Sequence, residues 1–271
     1  MRTIRIIPLL CYFCFPLYVF GVNKPSTPDS SLQAVYAELK NKTEALFEAK
    51  KDSFSYESDN SSIDKTRNIY SIVQIGNLFS KYDKHALIAY SLNDTALFVE
   101  IRQLIGKVWV RRFRNISSTS RLAHPFPRPI SLRDFNGDGI PELYIVTLAG
   151  YVEAVFLERG DGWILTRDVF QKIKGFELIS NPEYDSKTKQ ILGCFISCMG
   201  GDLWFESYEM KKNYELEKVK EISCECCNNG EAKCKVTIDK KNPIEVHSEE
   251  IYKYVPPFYV EKIKIKFGGP H

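Results

Sequence analysis

From residue 69 onward the chain is written in short apolar runs separated by Asn, Asp, Gly and Lys turns. "IYSIVQI", "HALIAYSL", "ALFVEIRQL" and "KVWVRRF" follow one another in this way. Runs of that length, rich in β-branched and aromatic residues, are strand material and too short for ordinary helices. The order then recurs in three stretches, 78–113, 132–168 and 181–219. Each ends in a Gly, Asn or Lys turn and a third strand, which Trp109 and Trp163 open in the first two, 54 residues apart, and Leu216 in the third, 53 residues on. A period near 50 in a strand-rich chain points to stacked antiparallel units. One such unit has open edges and too little core, so neighbours must cover one another. The expected fold is therefore mainly β: repeated antiparallel blade-like units forming a partial propeller or propeller-like sheet, with one N-terminal helix. The units are placed at about 69–115, 130–170 and 180–222, and C-terminal strands complete a β-repeat domain over 67–271.

The residues before that domain divide in two. Arg2 and Arg5 precede the apolar run from Ile6 to Phe20, which is short for a membrane span and right for a signal-peptide core. Residues 1–22 are assigned to a signal peptide, with cleavage near Gly21. The mature chain is expected to have no membrane span and to be secreted or periplasmic, at the cell envelope. Within 23–66, "VNKPSTPDSS" reads as a linker, and a helix follows. Leu32, Val35, Tyr36, Leu39, Leu46 and Phe47 recur at helical spacing, and Ser or Asp at 29–31 can cap the start. Charge is nearly balanced, with 37 Lys and Arg against 34 Asp and Glu. No basic stripe is present, which argues against nucleic acid as a partner.

Removal of the leader leaves six cysteines: Cys194, Cys198, Cys224, Cys226, Cys227 and Cys234. In an exported chain an even count suggests disulfides, but not which of the possible pairings occurs. Cys194 and Cys198, if on one strand, would lie about 13 Å apart and could not bond to each other. The close thiols of "CECCNNGEAKC" leave a soft metal site, or free thiols, as alternatives.

The sharpest local motif is "DFNGDGIPEL", 134–143. Asp134, Asn136 and Asp138 alternate, Gly139 follows, and Glu142 supplies a fourth oxygen side chain. A hard cation such as Ca2+ takes six to eight oxygens in flexible geometry. Alternate side chains of a tight turn converge on one point, and the Ile140 carbonyl can add a further oxygen. Gly139 permits a bend that needs positive φ. An EF-hand would continue to a Glu at the twelfth position, where this chain has Ile145, and its flanks read as strands rather than helices. The loop therefore closes between two strands. The other reading is a plain turn, since Asp, Asn and Gly are also ordinary turn formers.

On these residues the segment "DFNGDGIPELYIV" resembles the calcium loop of FG-GAP and VCBS-type repeats. The region from about 69 to 220 also resembles small secreted bacterial β-propeller-like proteins, some of them lysozyme inhibitors. The resemblance implies a calcium-stabilised β fold used for binding rather than chemistry. The equivalent turns of the other units keep only Asp83 and Asp185, so one metal site is expected, not three.

Nothing in the chain carries a familiar catalytic pattern. No G-x-S-x-G elbow, P-loop or G-x-G-x-x-G is present, and His85, His124, His247 and His271 show no ligand spacing. Trp109, Trp163 and Trp204 are read as packing residues rather than a sugar platform. The expectation is an exported, non-enzymatic calcium-binding module that recognises a protein or glycan at the cell envelope. An inhibitor of a cell-wall hydrolase, or a hydrolase with an unrecognised site, are the alternatives.

Overall fold

The computed structural model describes residues 30–49, 54–59, 69–92, 96–117, 128–152, 155–196, 203–225, 233–239, 241–257 and 259–260. The signal-peptide assignment, the linker, Cys198, Cys226, Cys227, His124 and His271 lie outside them. Helix α1, Ser30–Ala49, opens the fold. Strands β1 (Phe54–Asp59), β2 (Ile69–Gly76), β3 (His85–Leu92), β4 (Ala96–Ile105) and β5 (Val108–Ser117) form a first sheet. Strands β6 (Ile130–Arg133), β7 (Glu142–Val152), β8 (Val155–Thr166) and β9 (Val169–Lys172) form a second. Strands β10 (Glu183–Asp185), β11 (Gln190–Ile196), β12 (Leu203–Met210), β13 (Leu216–Glu225), β14 (Lys233–Ile238) and β15 (Ile244–His247) form a third. Each sheet is an antiparallel meander in chain order, and the architecture is mainly β with one N-terminal helix.

Alternation along the strands explains the layering. In β3, Ala86 and Ile88 face α1, where they pack with Phe47, Val73 and Ile75. Leu87 and Ala89 point the other way, into a core shared with Ile130, Leu143, Ile145 and Phe170 of the second sheet. In β7 the neighbours Tyr144 and Val146 turn to the third sheet, meeting Ile191 and Tyr208. The far face of that sheet packs Phe205, Ile222 and Val236 against Ile251, Val255 and Tyr259. Sheets covered on both faces need continuous apolar runs, which is why these strands show so little polar alternation.

One expected turn is a strand. The run "ERGDGW" looks like a break before Trp163, yet β8 passes through it without interruption. Its glycines serve close packing: Gly162 lies under the Phe176 ring, and Gly160 lies against the Ile145 carbonyl. Trp163 therefore continues a strand instead of opening one.

The second and third sheets are clamped by Asn181, which takes a left-handed φ of 49°. Its amide nitrogen donates to the Cys194 carbonyl (3.0 Å) and its side-chain oxygen accepts from the Glu158 N–H (2.8 Å). Asn tolerates that backbone region better than most residues. Asn181→Ala removes both bonds and the local preference, so a loss of about 2–4 kcal/mol is expected in chemical denaturation.

Cys224 and Cys234 lie directly opposite each other on β13 and β14 and form a disulfide across a sequence separation of 10. Cys194 is buried in the same apolar cluster, with Leu203 and Phe205. A bridge closing so short a loop stabilises by about 2–3 kcal/mol in the chain-entropy account. Reduction, or paired replacement by serine, is expected to lower the denaturation midpoint accordingly.

Candidate cation-binding loop

The loop from Asp134 to Pro141 joins β6 to β7, whose paired ends are Arg133 and Glu142. Its anchor is Phe135, 1% exposed, packed edge-on against Phe176 (4.7 Å between centroids) and Tyr144 (5.8 Å). With that ring held in the core, the alternate residues Asp134, Asn136 and Asp138 are left on the outer side.

Their oxygens are gathered by the loop's own N–H groups. Asp134 accepts from Gly137 (2.6 Å) and Gly139 (2.9 Å), one at each oxygen. The Asn136 Oδ1 accepts from the Asp138 N–H (2.8 Å), and Asp138 Oδ1 accepts from the Ile140 N–H (2.7 Å). Glu142, 2% exposed, accepts from the Phe135 N–H at 2.6 Å. Between these acids stands the Asn136 amide nitrogen, donating to Asp138 (3.0 Å) and to Glu142 (2.8 Å).

Electrostatics show what this arrangement lacks. Burial pushes the Glu142 carboxyl up to about 7; the Phe135 N–H opposes that rise, and the charges of Asp138 and Asp134 add to it. A neutral amide bridging two carboxylates supplies donors but no charge, and the group most removed from water is the one most strained by ionisation. All the side-chain donors are oxygens except the Asn136 nitrogen, and an amide turned over would present oxygen there too. In the present conformation, no three His, Cys, Asp or Glu side chains among the described residues are gathered around one point as a metal requires. The donor set suits a hard cation; its present closure is by hydrogen bonds.

Two partners of the loop have no sequence signal. Tyr184, 48 residues away on β10, donates from its hydroxyl to the Asn136 carbonyl (3.3 Å). Gly137 has φ 75° and leaves the room that hydroxyl occupies, since a Cβ there would lie 2.1 Å from it. Arg133 braces the other side: its guanidinium lies over the Tyr144 ring (4.8 Å) and pairs with Glu158 (3.0 Å). The loop is thus fixed between the second and third sheets.

The other candidates are dispersed. Trp109 packs edge-on to Phe47 and Trp163 to Phe113, while Trp204 keeps 44% of its surface exposed. His85 is fully buried beside Phe79, and His247 is exposed. No helix among the described residues is long and apolar enough to cross a membrane.

No protein-family model matches the chain, and no curated protein matches it. A solved structure titled "Structure of a Xanthomonas Type IV Secretion System related protein" is similar with a TM-score of 0.40 and 12% identity, over 73% of this chain and 95% of that one. A likeness at that level carries no argument about function. The resemblance to FG-GAP and VCBS-type repeats, and to secreted β-propeller-like proteins, is corrected by these findings. The motif is a local match only, no repeat family covers it, and sheets of five, four and six strands are not copies of one blade. The inhibitor reading rested on that resemblance, and nothing in these findings supports it.

Proposed function

We propose that this protein is an exported, non-catalytic binding protein in which the loop from Asp134 to Glu142 holds one calcium ion that rigidifies the junction of two sheets. The observation that carries the reading is the gathering of Asp134, Asn136, Asp138 and the buried Glu142 on one short inter-strand connection, with the Asn136 amide nitrogen between two of the carboxylates. A divalent cation held by these residues would supply the positive charge that the neutral Asn136 amide, bonded to Asp138 and Glu142, does not. Asp134, Asn136, Asp138 and Glu142 would be its side-chain ligands, with the Ile140 carbonyl and water completing six or more oxygens. Carboxylates committed in this way are poor general bases, which favours a structural ion over a catalytic one.

Export is supported by the leader-like N-terminal sequence and by the Cys224–Cys234 disulfide, a bond that persists in oxidising compartments. The partner at the cell envelope is a protein or a glycan, and the near-neutral charge disfavours nucleic acid.

Terbium luminescence tests the site, because Tyr184 lies close enough to pass excitation energy to a lanthanide in the loop. Excitation of the tyrosines is expected to give terbium emission that calcium displaces and magnesium does not. Asp138→Asn is expected to weaken displacement by calcium about tenfold or more, since one anionic ligand is lost. Emission unchanged in an Asp134→Asn/Asp138→Asn double variant would place any bound ion elsewhere.

A further inference from the structure

A cleft of about 330 Å³ opens between β8 and the face of β11 and β12 that also carries Ile191 and Tyr208 toward the second sheet. Its wall is the cross-strand pair Phe195 and Trp204, and its rim is Leu178. Trp204 keeps 44% and Leu178 62% of their surface exposed, a large apolar area at the mouth of one depression. Gly193 lines it without a side chain; a Cβ there would lie 2.8 Å from Ile179 Cγ2.

Two charged residues reach into this cleft, Arg159 and Glu206, and only one is spoken for. The Glu206 carboxylate receives the Tyr208 hydroxyl on Oε2 (2.9 Å) and the Lys218 ammonium on Oε1. Arg159 donates from Nε to the Ser180 hydroxyl (3.0 Å), and that bond fixes the plane of the guanidinium. Its two terminal nitrogens meet no acceptor among the described residues. A half-buried guanidinium that is held at Nε and lines a mostly apolar cleft is the geometry that receives a carboxylate.

We propose that this cleft binds a small ligand bearing a carboxylate on an apolar body, with the carboxylate on the Arg159 terminal nitrogens and the apolar part between Trp204 and Leu178. The volume lies at the lower end of small-molecule sites, which limits the ligand to a compact acid. No residue of the cation loop lines the cleft, so this inference stands apart from the calcium reading. The same chemistry is offered by a free carboxylic acid or by the C-terminus of a polypeptide ending in an apolar residue.

Calorimetric titration of the full chain tests it with two matched pairs: 3-phenylpropionate against its amide, and acetyl-glycyl-phenylalanine as free acid against its amide. Both acids are expected to bind at least about tenfold more tightly than their amides, since the amide lacks the charge that the guanidinium recognises. Tighter binding of 3-phenylpropionate assigns a free acid, and tighter binding of the peptide acid assigns a chain terminus; both outcomes support the site. Arg159→Gln is expected to weaken the acids about tenfold or more. Leu178→Asp at the exposed rim places a negative charge against the incoming acid, and weakens it without touching the core. The proposal is overturned if acids and amides bind alike, if neither variant changes acid affinity, or if no titrant binds up to about 10 mM.

Discussion

Replacing Gly160 with alanine is expected to destabilise the fold by about 3 kcal/mol or more, because the new methyl group has nowhere to go. A Cβ at that position would stand 2.3 Å from the Ile145 carbonyl oxygen and 2.7 Å from the Tyr144 ring. The oxygen belongs to the backbone of the neighbouring strand, which cannot swing aside like a flexible side chain. Nor can β8 retreat easily: Glu158, two residues earlier, is held by the Asn181 clamp on both its N–H and its carbonyl. Gly106→Ala provides the contrast. That glycine has φ 61° but open space where a Cβ would be, so only the backbone preference is lost, about 1 kcal/mol. Chemical denaturation of the two variants separates close packing from turn geometry. Equal, small shifts would show that β8 is not packed against β7 as described.

The second large effect is a reversal of sign. Without divalent cation, Glu142→Gln is expected to raise stability above that of the natural chain at pH 8, by about 1–3 kcal/mol. The Glu142 carboxyl titrates at about 7 in the folded protein against an ordinary value of 4.5. The folded state therefore holds its proton more tightly than the unfolded state. Its stabilising contribution is complete below pH 4.5 and is lost as pH rises through 7. The glutamine variant carries no such group, so its stability in EDTA should not show this decline. Calcium should reverse the order. The ion requires the ionised carboxylate, so it stabilises the natural chain increasingly up to about pH 7 and the variant little. Stability measured in EDTA at pH 5 and pH 8, then with calcium at pH 8, reads out both effects. A variant less stable than the natural chain in EDTA at pH 8 would show that the Glu142 charge is not a burden on the fold.

Acid has a separate cost at His85, whose charged form is disfavoured by burial beside Phe79 and held below its usual range. A base with a lowered folded pKa binds more protons when unfolded. Stability should therefore fall as pH drops below about 6.5, and His85→Gln or His85→Phe variants that fold should lose that slope.

What was legible in the amino-acid order was what local chemistry controls. Leu46 and Phe47 at helical spacing lie on α1, and the apolar runs at 69–75, 85–92 and 96–104 are β2, β3 and β4. The loop motif stood out because three oxygen side chains alternate with Phe135, Gly137 and Gly139 in a connection between paired strands. Local chemistry misled at "ERGDGW", where glycines that permit close approach look the same as glycines that permit a turn. The matching positions of Trp109, Trp163 and Leu216 suggested equal units, yet Trp163 sits inside a continuous strand and the sheets differ in size. Long-range partners left no trace. The Tyr184 contact with Asn136 and the Asn181 clamp depend on how two sheets meet, which no spacing within either sheet encodes. Trp204, read as packing, forms an open wall of the Arg159 cleft instead.

The most direct test of the central claim is thermal unfolding of the protein in EDTA and then in millimolar calcium, with magnesium as control. A ligand that binds only the folded state raises its stability, by about 2.7 kcal/mol at a hundredfold excess over Kd. The account predicts a calcium-selective rise in Tm that disappears in Asp134→Asn/Asp138→Asn and is larger at pH 8 than at pH 5. A Tm that calcium leaves unchanged at pH 8, or raises equally in the double variant, would contradict it.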